Sequence, residues 1–176
     1  MNDKNFDIAF EQLIQREGGY TDGKNQISDQ PTNMGITQTT LNNYLKKNPT
    51  SDMPRDVKYL TMFHARTIYK DLYWDNTKIP QIENARVRNA VFDMSVMSGP
   101  TTPTKTLQQT LNEYIGANLP KTGYLGNQTI KAINSIPANM VNDFMTALIE
   151  NRIQSLQKMK NWATAKNGWT RRTMGY

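Results

Sequence analysis

Glu17 is the position in this 176-residue chain whose type and setting could do acid chemistry. It follows Leu13 and Ile14 by one helical turn, on the face a core would cover, and it precedes Gly18-Gly19. A carboxylic acid still protonated near neutral pH is what protonating a glycosidic oxygen requires. Burial and the negative end of a helix dipole both favour that protonated form. Periodicity alone favours a plainer reading: an ordinary exposed glutamate at a frayed helix end, paired with Arg16 or a distant base. The polar stretch that follows carries the groups that could work opposite it. Asp22 and Asp29 come five and twelve residues later, and Thr32 and Thr37 flank Asn33-Met34-Gly35-Ile36. A helix ending in Glu and a loop returning Asp or Thr can set two oxygen-bearing groups across a cleft. About 5–5.5 Å between them suits a nucleophile, and about 6.5–9.5 Å a base that positions water. Asp22, beside Gly23, reads better as a turn former, while Asp29 stands open between the two roles.

The elements that must position these groups read as mostly helical. Phe6, Ala9, Phe10, Leu13, Ile14 and Glu17 recur at helical spacing, predicting a helix over 5–17 stopped by Gly18-Gly19. Residues 20–35 read as a long polar loop or a small hairpin. Helical patterning resumes over Gln38–Lys47, Thr61 can cap a helix through about Tyr73, and Val87, Ala90, Val91, Met94 and Met97 form a further stripe ending at Ser98-Gly99-Pro100. Leu107 and Leu111 start another stripe, and Pro137 suits the first position of the longest helix, whose inward face carries Val141, Phe144, Leu148 and Leu156. The expected fold is all-α with a small loop or hairpin after the first helix. A soft boundary near Gly99–Pro103 divides a catalytic region, 1–99, from a helical lobe, 100–176, packed as one compact unit.

Composition narrows the chemistry. The chain has no cysteine and one histidine, His64, so thiolate catalysis and a multi-histidine metal site are excluded and a Ser-His-Asp triad is disfavoured. No metal and no cofactor are expected. No apolar run approaches the roughly 20 residues needed to span a bilayer. Met1-Asn2-Asp3-Lys4-Asn5 shows no basic region leading into an apolar one, so no signal peptide is expected. A net charge of +6 favours a polyanionic partner. Specific nucleic-acid binding is not expected, because the basic residues are dispersed and no binding fingerprint appears. The basic tail, with Lys158, Lys160, Lys166, Arg171 and Arg172, reads as a solvated face or as a hold on an anionic wall. Tyr20, Tyr73 and Trp74 could offer flat faces to a sugar ring, although core packing describes Trp74 better. Asp93, inside an apolar stripe, needs a partner, and Arg86 or Arg88 is the expected one. His64 reads as a surface or packing residue.

Arg16-Glu17-Gly18-Gly19-Tyr20, followed by Thr32-Asn33-Met34-Gly35-Ile36-Thr37, resembles the signature of the glycoside hydrolase family 108 lysozymes. The resemblance continues through Ile68–Trp74, Val91–Gly99, Leu107–Asn112, Gly123–Thr129 and Asn167–Arg172, covering nearly the whole chain in order. It implies a lysozyme-like fold and a muramidase that cleaves the β-1,4 bond between N-acetylmuramic acid and N-acetylglucosamine in bacterial peptidoglycan. Glu17 takes the place of the family's catalytic glutamate. Gly123, Gly126 and Thr129 match a turn of its peptidoglycan-binding lobe, which adds Tyr124 to the substrate-binding candidates Tyr20, Asp22, Thr37, Tyr73 and Trp74. Thr21-Asp22-Gly23-Lys24 and Asp29-Gln30-Pro31 depart from the family's intervening loop, so the second group, Asp29 or Thr32, stays open. So does a lytic transglycosylase in which Glu17 works alone, and a wall-binding protein without catalysis. Small size and a single helical core make a monomer the expectation, and without a signal sequence the resemblance implies accumulation in the cytoplasm and passage to the wall through a holin or dedicated export.

Overall fold

The computed structural model describes residues 3–24 and 30–176. Its described residues form eight α-helices and one two-stranded antiparallel sheet, a mostly α, lysozyme-like architecture. None of these helices is long and apolar enough to cross a membrane. Two compact units follow each other along the chain, 1–72 and 73–176.

In the first unit, α1 (Lys4–Ile14) is started by Asp3, whose Oδ1 accepts the Phe6 amide at 3.1 Å. Phe6, Ala9, Phe10 and Leu13 form its buried stripe. Phe6 and Phe10 stack at 5.7 Å, and Phe10 meets Tyr69 at 6.1 Å. The helix stops at Ile14 rather than continuing to Glu17. Tighter i→i−3 bonds, Arg16 N to Leu13 O (2.9 Å) and Glu17 N to Ile14 O (3.1 Å), close the chain into a turn before Gly18.

Residues 32–37 form a hairpin. Strands β1 (Thr32–Asn33) and β2 (Ile36–Thr37) pair Thr32 with Thr37 and Asn33 with Ile36, and Thr21 bridges to Thr32 on the other side. The connecting residues Met34 and Gly35 both have positive φ, 49° and 75°, as a type I′ loop demands. Thr37 then caps α2 (Gln38–Lys47), accepting the Thr40 amide at 3.1 Å, and Leu41, Tyr44 and Leu45 face the core. The Asn33 amide is buried and donates to the carbonyls of Val57 (2.9 Å) and Leu60 (3.3 Å), tying the hairpin to the 3-10 turn Val57–Tyr59. Helix α3 (Met62–Tyr69) begins with a capping box in which Thr61 and His64 satisfy each other's amides. His64 is therefore a helix-start residue. The helix ends four residues short of Tyr73, because the chain loosens into the π-helical stretch Lys70–Asp75, where the boundary between the units falls.

The second unit is a helical cluster of α4 (Ala85–Ser98), α5 (Thr101–Ile115), α6 (Asn127–Asn134), α7 (Val141–Gln157) and α8 (Trp162–Met174). Helix α5 packs on α4 and α7, and α8 packs on α7. Pro137 does not start the longest helix: it precedes a 3-10 turn, Ala138–Met140, and α7 begins at Val141. The ψ of Pro137, 144°, is extended, so its ring preorganises the approach and not the first helical turn. Asp93 is bound by Arg172 through two 2.9 Å bonds and by the Tyr176 hydroxyl at 2.6 Å. Arg88 donates to the Ile82 carbonyl and Arg86 to Asn142. Burial, and then the Asp93 charge, push the Tyr176 phenol up, and burial pulls the Arg152 guanidinium down.

Candidate active site

The hairpin turn and the end of α1 meet at Glu17. A Cβ placed on Gly35 would fall 2.6 Å from Glu17 Oε2, 2.7 Å from Glu17 Cδ and 2.6 Å from the Tyr69 hydroxyl. Only a glycine fits there, on grounds of space and of its φ of 75°. The Glu17 carboxyl is thus held against backbone at the tip of the hairpin, half-buried, with a phenol at the same point. The Tyr69 hydroxyl donates to the Met34 carbonyl at 2.9 Å, so it also fixes the turn. Tyr69 is itself buried, and it packs against Phe10 on α1. One aromatic side chain therefore references the helix before Glu17, the hairpin facing it and the carboxyl between them.

A second buried-edge contact steadies α3. Arg66 Nε donates to Asp7 Oδ1 at 3.0 Å while the guanidinium lies 5.2 Å from the Phe6 ring centre. In the same unit, Tyr44 donates to Asp71 Oδ2 at 2.5 Å. Burial first, and then the bond to Asp71 and its charge, push the Tyr44 phenol up to about 12.

The remaining candidates have varied settings. Thr32 sits in β1, its amide and carbonyl exchanged with Thr21 (2.9 and 2.8 Å) and its hydroxyl 3.3 Å from the Gln30 carbonyl. Thr37 gives its hydroxyl to capping α2. Asp22 accepts the Lys24 amide at 3.1 Å in an Asx-type turn and pairs with the Lys24 ammonium at 3.6 Å, both side chains exposed. Asp29 lies outside the described residues. Tyr20 is 45% exposed, three residues beyond Glu17. Tyr73, Trp74 and Tyr124 belong to the second unit. Trp74 is fully buried, edge-on to Phe92 at 5.4 Å, so its faces are spent on packing. Tyr73 is half-buried, and desolvation pushes its phenol up. Tyr124 is 69% exposed at the rim of a cavity of about 480 Å³ that Thr77, Lys78, Thr101 and Thr104 also line. Gln108 holds the loop beneath it, donating to the Tyr124 carbonyl at 3.0 Å and accepting the Gly123 amide at 3.0 Å.

Reasoning from sequence missed Gly35 and Tyr69 as site residues. The signal available was a glycine at the tip of a short run bounded by Thr32 and Ile36-Thr37, where a two-residue hairpin loop needs positive φ.

Its relatives place this chain among the peptidoglycan-degrading glycosidases. The sequence profile described as glycosyl hydrolase 108 matches residues 10–99, and the chain belongs to that family. The fold is similar to that reported as the structure of Brucella abortus SagA, with 27% sequence identity and a TM-score of 0.77 over 97% of this chain and 90% of that one. No curated protein matches the chain.

Proposed function

We propose that this glycosidase is an N-acetylmuramidase, hydrolysing the β-1,4 bond between N-acetylmuramic acid and N-acetylglucosamine with Glu17 as general acid. One observation carries the reading: the Glu17 carboxyl is seated against the Gly35 turn beside the Tyr69 hydroxyl. A carboxyl fixed in this way is preorganised to deliver a proton in one direction. Its proton passes to the glycosidic oxygen as the bond from that oxygen to the muramic C1 breaks. Water adds its hydroxyl to C1 and its remaining proton is passed to the Glu17 carboxylate, which regenerates the acid and leaves a reducing muramic end.

Asp29 or Thr32 is the proposed group that positions the water, and Tyr20 and Tyr124 are the aromatic contacts proposed for the glycan. A second reading, a lytic transglycosylase, draws on the setting of Asp22, whose carboxylate is engaged with Lys24 in an exposed turn. There the muramic 6-hydroxyl would attack C1 in place of water. Mass spectrometry of soluble fragments from purified sacculi separates the two. Reducing ends, heavier by one water, are expected; anhydromuramic ends would replace the muramidase reading with the transglycosylase one.

A further inference from the structure

The exposed large apolar side chains of the first unit, among the described residues, are Ile8, Tyr20, Tyr59, Met62 and Phe63. Two of them share a cation. The Lys58 ammonium lies 6.0 Å from the ring centre of Tyr20 and 6.0 Å from that of Tyr59, which are 45% and 65% exposed. Lys58 makes no ion pair with any described carboxylate. Asp56, nearest in sequence, turns its Oδ1 to the Lys58 amide at 2.8 Å to cap the 3-10 turn. An exposed ammonium near two aromatic rings, engaged by no described carboxylate, suits an anion on a ligand that also offers an apolar face.

The fold keeps this cluster beside the acid. Tyr20 follows Glu17 by three residues, and Thr21 bridges to β1 at Thr32. The next residue of β1, Asn33, holds the turn carrying Lys58 and Tyr59, and two residues further on Gly35 lies against the Glu17 carboxyl. Strand β1 and its turn thus tie both the acid and this cluster to one short stretch of chain.

We propose that Tyr20, Lys58 and Tyr59 form a subsite that recognises a carboxylate borne by a muramic residue, the rings accepting the sugar's C–H face and Lys58 the charge. The inference rests on the muramidase reading for the identity of the sugar. The carboxylate has two sources: the lactyl ether of a muramic residue without its peptide, or the peptide stem where one is attached. The subsite makes the enzyme discriminate muramic-containing strands from neutral polymers of N-acetylglucosamine by charge and not by shape alone.

The test compares wild type, Lys58→Met and Lys58→Arg on three substrates: peptide-bearing sacculi, glycan strands stripped of peptides by an amidase, and the same strands with their carboxylates converted to neutral amides. An exposed ion pair of about 1 kcal/mol corresponds to roughly a fivefold change in affinity. Lys58→Met is therefore expected to raise KM about three- to fivefold on charged strands with kcat unchanged. It should do nothing on neutralised strands, and Lys58→Arg should restore wild-type behaviour. A loss on stripped strands alone assigns the lactyl carboxylate; a loss on sacculi alone assigns the stem. Equal KM for wild type and Lys58→Met on both charged substrates overturns the proposal, and so does an equal loss on neutralised strands. Sedimentation of inactive Glu17→Gln with sacculi, with and without Lys58→Met, reads the subsite through binding. It remains decisive even if wild type proves inert and the muramidase reading fails.

Discussion

Gly35 and Glu17 are in contact across a hairpin tip, so close that a single methyl on Gly35 would overlap the carboxyl of Glu17 at 2.6 Å. The glycine serves the hairpin and the acid at once: its φ of 75° closes the two-residue loop, and its missing side chain leaves the space the carboxyl occupies. Gly35→Ala is expected to cost about 1–2 kcal/mol of stability from backbone conformation. Its effect on catalysis should be far larger, about 100-fold, because a displacement of about 1 Å is enough for that. Chemical denaturation and sacculus hydrolysis on the same preparation measure the two losses separately.

Tyr69→Phe probes the same point more gently. It deletes the bond to the Met34 carbonyl and the hydroxyl beside Glu17 while keeping the ring packed on Phe10. The expected stability loss is about 1 kcal/mol. The expected kinetic effect is a fall in kcat of about five- to tenfold with KM unchanged. A rise in KM at constant kcat would mean that the phenol binds glycan instead of placing the acid.

These two residues mark where sequence reasoning ran out. The stripe Phe6, Ala9, Phe10, Leu13 was legible because helical periodicity is local, and Glu17 was legible because it follows that stripe. Tyr69 reaches Met34 over 35 residues, and periodicity says nothing of such a pairing. The same limit explains Asp93. Its need for a partner could be read from its apolar neighbours, but that Arg172, 79 residues away, supplies one depends on how α8 packs. Helix ends were misjudged where hydrogen bonding changed type, at Arg16–Glu17 and in the π-helical stretch after Tyr69, since side-chain spacing barely registers such a change.

The Asp93–Arg172 pair makes the anchoring of α8 measurable. Asp93→Ala would remove the carboxylate that binds Arg172 in a mostly buried setting and the acceptor of Tyr176. The expected cost is about 3–5 kcal/mol in urea denaturation. Asp93→Ala combined with Arg172→Met should recover part of it, since the guanidinium is gone too. A double variant as unstable as the sum of the two singles would show that the pair is not coupled.

Tyr44 sets an alkaline limit on stability. Its phenol is pushed up to about 12 in the folded protein, above the ordinary 10 of an unfolded chain. The folded state therefore holds the proton more tightly, and the stabilisation is complete below pH 10 and is lost as pH rises from 10 through 12. Tyr44→Phe lacks the bond to Asp71 and should be about 1 kcal/mol less stable at pH 7. The gap should close between pH 10 and 12, as followed by thermal denaturation across that range. A gap that stays constant there would detach Tyr44 from the alkaline loss.

The central claim is that Glu17 is the acid, and the most direct test is to set Glu17→Gln beside wild type on purified sacculi, following turbidity with circular dichroism to verify folding. The amide keeps the shape at the Gly35 contact and removes the transferable proton. A folded variant that no longer clears sacculi, beside a wild type that does, is the predicted result. A folded variant that clears them at the wild-type rate would contradict the assignment and move the acid elsewhere in the fold.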